Sequence, residues 1–321
     1  KERTMTTSCR LVPFVLLVGL LSIAQAQPPE FVMWSAAELA RRDAVLSANV
    51  GPDHSARETL LDYRTPARSH RFRFIRRDAD GVPEQHAQIE DVVFIQSGAG
   101  TLQVGGELVG LTGGRNGEST GTSIAGGARY PVSTGDVFRI PADTPHRYLV
   151  PDGGHVTYVL VRMPALIGER VIPDDAPNLD FRPEGFVLWS AEELARRDVA
   201  LGTRVGPDRS SRETLADFGS PTRSHRFRFI HRDADGRPEI HDNIIDVVFV
   251  KSGGGVLLVG GEMVNRTGSL GTGIAGGTRH AVAVGDVLHI PSSTPHGYLV
   301  PEGGHITYLL VRVPAVVGAI D

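Results

Sequence analysis

The chain has a single cysteine, Cys9, in 321 residues. No internal disulfide can form. Lysine is nearly as scarce, with only Lys1 and Lys251 present and arginine in its place, which we attribute to genomic base composition. There is no basic block, and the formal net charge is −4. Nucleic acid and anionic membrane are therefore not expected partners. No phosphate-cradling glycine loop and no distinct nucleophile stands out. One apolar run is long enough to attract attention: Arg10 precedes LVPFVLLVGLLSIA, and Ala24-Gln25-Ala26 follows as a small-x-small cleavage site. The run is short and Pro13 interrupts it, so it reads as a signal peptide over residues 1–26 and not as a membrane anchor. Cleavage would remove Cys9 and leave a periplasmic or extracellular protein without cysteine.

What is present is a repeat. FVMWSAAELARRD at Phe31 returns as FVLWSAEELARRD at Phe186, and RSHRFRFIRRDADGVPEQH at Arg68 as RSHRFRFIHRDADGRPEIH at Arg223. DVVFIQSGAGTLQVGGE at Asp91 returns at Asp246, and GDVFRIPADTPHRYLVPDGGH at Gly135 returns at Gly285. The offset is 155 residues early and 150 late, so the first copy carries five extra residues between Leu108 and Ser123. A length change with both flanks intact marks a surface loop. Two domains follow, 27–165 and 186–321, joined by the proline-rich, charged and aperiodic stretch 166–185.

Each copy opens with one helix. Ser35 with Glu38, and Ser190 with Glu193, fit a capping box. The remainder reads as short strands broken by the 38 glycines and 21 prolines. In HRFRF, His70, Phe72 and Phe74 share one face while Arg71 and Arg73 share the other. Many short strands with such turns imply an all-β sandwich or barrel, two in tandem, each preceded by its helix.

Two segments per copy carry chemistry. Glu84 and His86 stand two apart on a strand and so point the same way. Asp91 opens the next strand. The Gly135 and Pro141 corner presents His146. The second copy repeats the set as Glu239, His241, Asp246 and His296 while bystanders differ (Gln85 against Ile240, Arg147 against Gly297). Imidazole and carboxylate are the usual ligands of first-row divalent metals.

These segments resemble the two signature motifs of the cupin superfamily. The late motif falls on Gly135, Pro141 and His146, and on Gly285, Pro291 and His296. In the early motif, His86 and His241 match the second histidine, and Asp91 and Asp246 match the acid. Glu84 and Glu239 stand where the family has its first histidine, and Asp replaces the usual Glu. The resemblance implies a secreted bicupin of two double-stranded β-helix (jelly-roll) barrels. Each would hold a divalent metal (Mn, Fe, Ni or Zn) through His86, Asp91 and His146, or His241, Asp246 and His296. Glu84 and Glu239 would complete the shell or act as catalytic proton carriers. Asp91 and Asp246 can also be read as carboxylates bonding backbone amides at a strand start.

His70 and His225 read as core histidines bonded to backbone. His54, His231, His280 and His289 lack a counterpart in the other copy and read as surface residues. Glu90 is discounted as a rival acid because Ile245 holds its place. The pairs Arg71/Arg73 and Arg226/Arg228 read as a solvated face, with carboxylate binding as the lesser alternative. Tyr148 and Tyr298 would line the barrel rim, and Trp34 and Trp189 would pack the two domains or the N-terminal arm. Two functions remain open: a metal-dependent decarboxylase, dioxygenase or isomerase acting on a small oxygenated molecule, or a binding module for a small ligand or metal. A homo-oligomer is compatible with either.

Overall fold

The computed structural model describes residues 31–65, 68–115, 117–165, 170–171, 184–220 and 223–315. The segment 1–26, and all of 166–185 except Arg170, Val171, Glu184 and Gly185, lie outside them. The architecture is the expected one: two antiparallel β-barrels of matching strand order, and a 12-residue helix before each, Ala36–Ser47 and Ala191–Gly202. No described helix is long and apolar enough to cross a membrane. Ser35 and Ser190 cap the helices by accepting from the amides of Glu38 and Glu193, both at 3.1 Å. The carboxylates do not reach back; Glu38 takes Arg42 at 2.9 Å and Glu193 takes Arg197 at 2.8 Å.

One long strand organises each barrel. Ile89–Val104 pairs in its first half with Val137–Ile140 and Val156–Pro164, and in its second with Ala128–Ser133 and His146–Leu149. It thus passes from one sheet to the other. The bend falls at Gly98, where φ is +79° and an added Cβ would lie 2.0 Å from the carbonyl oxygen of His155. No other residue fits there. Ile244–Val259 repeats this in the second barrel.

The arm strands are exchanged. Val32–Trp34, which opens the first copy, pairs with Val287–Ile290 of the second barrel, and Val187–Trp189 pairs with Val137–Ile140 of the first. Each barrel therefore completes a sheet with chain from the other copy. Trp34 and Trp189 pack on Phe72 and Phe227 at ring-centroid distances of 5.1 and 5.2 Å. Phe94 meets Phe249 at 4.9 Å. These rings belong to one continuous apolar layer drawn from both copies, separate from the core inside each barrel. Burial of this kind is the main stabilising force, about 25 cal/mol per Å².

The layer corrects several expectations. His70 is a buried core residue that also meets His289, Nε2 to Nε2 at 3.0 Å, across the interface. His289 is fully buried there, not on the surface. His225 pairs with Glu90, which also meets Arg139. His231 is buried too, stacked on His305 at 5.2 Å and bonded to Asp198 at 2.9 Å. Tyr148 and Tyr298 are interior residues stacked on Tyr158 and Tyr308 at 4.6 and 4.7 Å. The cause is common: what lacks a solvent face in a two-barrel unit cannot be judged from one strand.

Candidate metal centres

Four backbone segments converge at one end of each barrel. Strand Glu84–His86 lies beside His146, with Glu84 directly opposite it in register. Asp91, near the start of the long strand, faces Arg162 across the ladder. Alternation then sends Glu84, His86, Asp91, His146 and Arg162 to one space.

Ligand atoms of Glu84, His86 and His146 all lie within 4.8 Å of one another, as do those of Glu239, His241 and His296. Glu84 lies 3.8 Å from both His86 Nε2 and His146 Nε2. Asp91 Oδ2 lies 3.5 Å from His86 Nε2 and 3.7 Å from His146 Nε2. In the second barrel Asp246 Oδ2 is 3.7 Å from His241 and 3.5 Å from His296. All eight residues singled out in the sequence are thus brought together, four per barrel.

A divalent metal fits this donor set. Ligand separations near 3.5 Å are close to the edge of a tetrahedron with bonds of about 2.1 Å. His146 Nδ1 donates to the Thr144 carbonyl at 2.9 Å, and His296 Nδ1 to Thr294 at 2.9 Å. That bond fixes the tautomer and leaves Nε2 as a bare lone pair toward the centre. Asp91 Oδ1 and Asp246 Oδ1 are buried acceptors without a hydrogen bond. The residues that would hold the ion are Glu84, His86 and His146 with Asp91 beside them, and Glu239, His241 and His296 with Asp246.

Electrostatics keep the acids charged. Burial opposes ionisation of Glu84, but His146, His86, Arg162 and Arg77 outweigh it and hold the carboxyl below its usual range. Asp91 is likewise buried, yet Arg162 and the two histidines bring it down to about 2. Burial drives His146 down. His296 goes the other way, because Asp246 and Glu239 overcome its burial.

Four groups escaped the sequence reading. Arg162 Nη2 donates to His86 Nε2 at 2.8 Å, and its Nε lies 3.5 Å from Asp91. Arg312 does the same to His241 at 2.8 Å and to Asp246 at 3.5 Å. A signal existed: each is the one charge in an otherwise apolar strand, and it recurs in both copies. Arg77 and Arg232, bonded to Tyr158 and Tyr308 at 3.1 Å, stand 3.9 and 3.8 Å from Glu84 and Glu239.

Arg71 and Arg73 are not a solvated face. They oppose Arg162 and Leu160 in register, two steps along from Ile75 opposite Tyr158. Ile75, Tyr158 and Leu160 are interior, so both arginines turn toward the barrel mouth. Burial, together with Arg162, Arg71 and Arg57, pulls the Arg73 guanidinium below its usual range. Arg228 matches it in the second barrel.

No family model matches the sequence, and no curated protein matches it. Solved structures do match the fold. Salicylate 1,2-dioxygenase from Pseudaminobacter salicylatoxidans superposes with a TM-score of 0.59 at 13% identity, over 94% of this chain and 90% of that one. The same enzyme with gentisate gives 0.54 at 13% identity, over 91% and 83%. A glyoxylate-induced protein from Pseudomonas aeruginosa gives 0.53 at 14% identity, over 90% of each chain. Identity this low speaks to architecture alone.

Proposed function

We propose that this chain, whose fold is the tandem double-stranded β-helix of two-domain cupins, is a metal-dependent enzyme of dioxygenase or decarboxylase type. Its substrate would be a small oxygenated molecule bearing a carboxylate. The observation that carries the reading is the convergence, in each barrel, of two imidazole Nε2 atoms and a carboxylate within 4.8 Å. The likeness to a dioxygenase of the same architecture supports it. The signal-like segment 1–26 supports a periplasmic or extracellular setting.

A divalent metal bound there supplies a Lewis acid and a means to activate water or O₂. The chain's own groups do the rest. The histidines would present Nε2 to the ion, and Glu84 stays ionised among cations, able to hold a ligand position or take a proton from substrate. Arg73, with Arg71 beside it, offers a partly buried guanidinium at the mouth. That matches a carboxylate, which arginine binds through paired N–H donors.

One observation favours a second reading, a small-ligand or metal-binding module without turnover: Arg162 and Arg77 already neutralise Glu84 and Asp91. Elemental analysis first tests the metal centres. Wild type is expected to hold about two metal equivalents, with one lost in each of His146→Ala and His296→Ala and none left in the double variant. Oxygen uptake and CO₂ release with salicylate, gentisate and small hydroxy- and keto-acids then test turnover. Metal that stays bound in the double variant overturns the ligand set. Metal-loaded protein that binds such acids unchanged establishes the module.

A further inference from the structure

The five additional residues of the first copy give it a group the second lacks. The lengthened loop forms a pair of short strands, Gly113–Arg115 with Glu118–Thr120, the second of which lies against Glu84–His86. Thr120 stands opposite Glu84, and Glu118 opposite His86. In the second barrel Leu270 stands opposite Glu239. Counting back two residues, the place of Glu118 falls to Gly268, which has no side chain.

The consequence falls on one imidazole. A Glu118 carboxylate oxygen lies 2.8 Å from His86 Nδ1. That nitrogen is buried, and no hydrogen bond of ordinary geometry satisfies it elsewhere. A small rotation of the carboxylate makes Glu118 its acceptor. Among the described residues no carboxylate reaches Nδ1 of His241, whose ion pairs with Glu239 and Asp246 run through Nε2. There the Arg312 contact on Nε2 is what sets the tautomer, and that contact is lost when an ion takes Nε2. The other histidine of each centre is held identically, at 2.9 Å from Thr144 or Thr294. In what holds Nδ1, the two centres therefore differ at His86 against His241.

We propose that Glu118 is a positioning residue that makes the two centres unequal, so that the first binds a divalent metal at least tenfold more tightly than the second. This rests on the metal reading given above. Glu118 holds the His86 ring with Nε2 bare toward Glu84 and His146, and it raises the basicity of that nitrogen. A carboxylate behind a ligating histidine is worth about 10–100-fold in metal affinity. It has a second effect. Arg162 Nη1 lies 3.5 Å from Glu118, so a guanidinium displaced from His86 by an incoming cation has an acid to settle on. Among the described residues Arg312 has no such acid beyond Glu239 and Asp246 themselves.

The test isolates the centres in the full chain. His296→Ala leaves the first and His146→Ala the second, and Mn²⁺ binding to each is measured by calorimetry. The first is expected to bind at least about tenfold tighter. Adding Glu118→Ala to His296→Ala should weaken Mn²⁺ about 10–100-fold, with Glu118→Gln, which keeps an acceptor, falling between. Adding Glu118→Ala to His146→Ala should change nothing. Equal loss at both centres, or undiminished binding at the first, overturns the role of Glu118 and leaves the metal reading standing. Absence of Mn²⁺ binding in every protein, wild type included, removes both.

Discussion

The Arg162 guanidinium donates to Nε2 of His86 across 2.8 Å. Arginine has donors only, so the contact requires the neutral ring to accept with its lone pair. Asp91 pulls His86 the other way, toward protonation, against the opposition of burial. With a pure donor on the nitrogen, the neutral form fits the geometry. Metal and arginine thus compete for one lone pair, and the arginine must turn aside for an ion to enter.

That competition gives the first prediction. Arg162→Met removes the rival cation but leaves Asp91, buried at 3% exposure, without its ladder partner. Breaking a buried pair costs about 3–5 kcal/mol. The metal-free variant should melt well below wild type. Added Mn²⁺ or Zn²⁺ should then raise its melting temperature by more than it raises that of wild type, because binding to the folded state stabilises by mass action. An equal rise in both proteins would show that Arg162 does not contest the site.

Arg73 provides the second. Its Nε is buried without a hydrogen bond, and like charges crowd it. An anion there relieves both conditions. Arg73→Gln should weaken binding of a small carboxylate, or raise KM, by about 1.5–3 kcal/mol, the worth of a charged hydrogen bond. Metal content should stay unchanged. Steady-state kinetics or calorimetry with the acid that turns over or binds provides the measurement, and a loss confined to kcat would contradict the assignment.

The architecture was legible because a duplicated sequence states its own repeat. The four ligand-type positions were legible because they recur while bystanders such as Gln85 and Ile240 do not. Beyond the arginines of the centres, two physical causes hid the rest. Glu118 lies in a loop that is shorter in the other copy and has Gly268 at its place, so comparing copies could not reveal it. His289, His231 and the Arg71/Arg73 face were misjudged because alternation along a strand gives two faces without saying which is outside. Here neither is, since one faces the barrel interior and the other the second barrel.

The interface between barrels yields the third prediction. Glu90, Arg139 and His225 form a buried charged trio, with Arg139 over the Phe218 ring at 3.8 Å. The equivalent positions of the other copy hold Ile245, His289 and His70, with Tyr63 beside His289. Glu90→Ile alone removes the buried carboxylate that meets both Arg139 and His225 and should cost about 3–5 kcal/mol. Adding Arg139→His rebuilds the other copy's trio and should recover most of it. Burial opposes the Glu90 charge, but His225 and Arg139 overcome it and set the folded pKa below the unfolded value of about 4.3. The stability it contributes is therefore complete above that value and lost as pH falls through the folded pKa. Urea melts across pH 3–7 should show a steeper acid loss in wild type than in the double variant. Matching slopes would assign the acid sensitivity to other carboxylates.

A fourth prediction concerns how the barrels hold each other's helices. Asp136 Oδ1 accepts from the amide of Ala191 at 2.7 Å, and Asp286 Oδ1 from that of Ala36 at 2.8 Å. Each aspartate stands after the glycine of one barrel's corner and caps the first turn of the other copy's helix. Its second oxygen closes its own turn, on Ser133 at 2.7 Å or Ala283 at 2.8 Å. One carboxylate thus ties the corner that presents His146, or His296, to the opposite helix. Losing a cap costs about 0.5–2 kcal/mol, and the helix dipole adds about 0.3–1 kcal/mol for the charge. Asp136→Ala should lose both contributions, and Asp136→Asn, which keeps an acceptor, mainly the second. The distinguishing readout is hydrogen exchange. The Ala191–Gly202 helix, which belongs to the other copy, should lose protection alongside the first barrel's corner. Protection lost at the corner alone would mean that the carboxylate serves only its own turn.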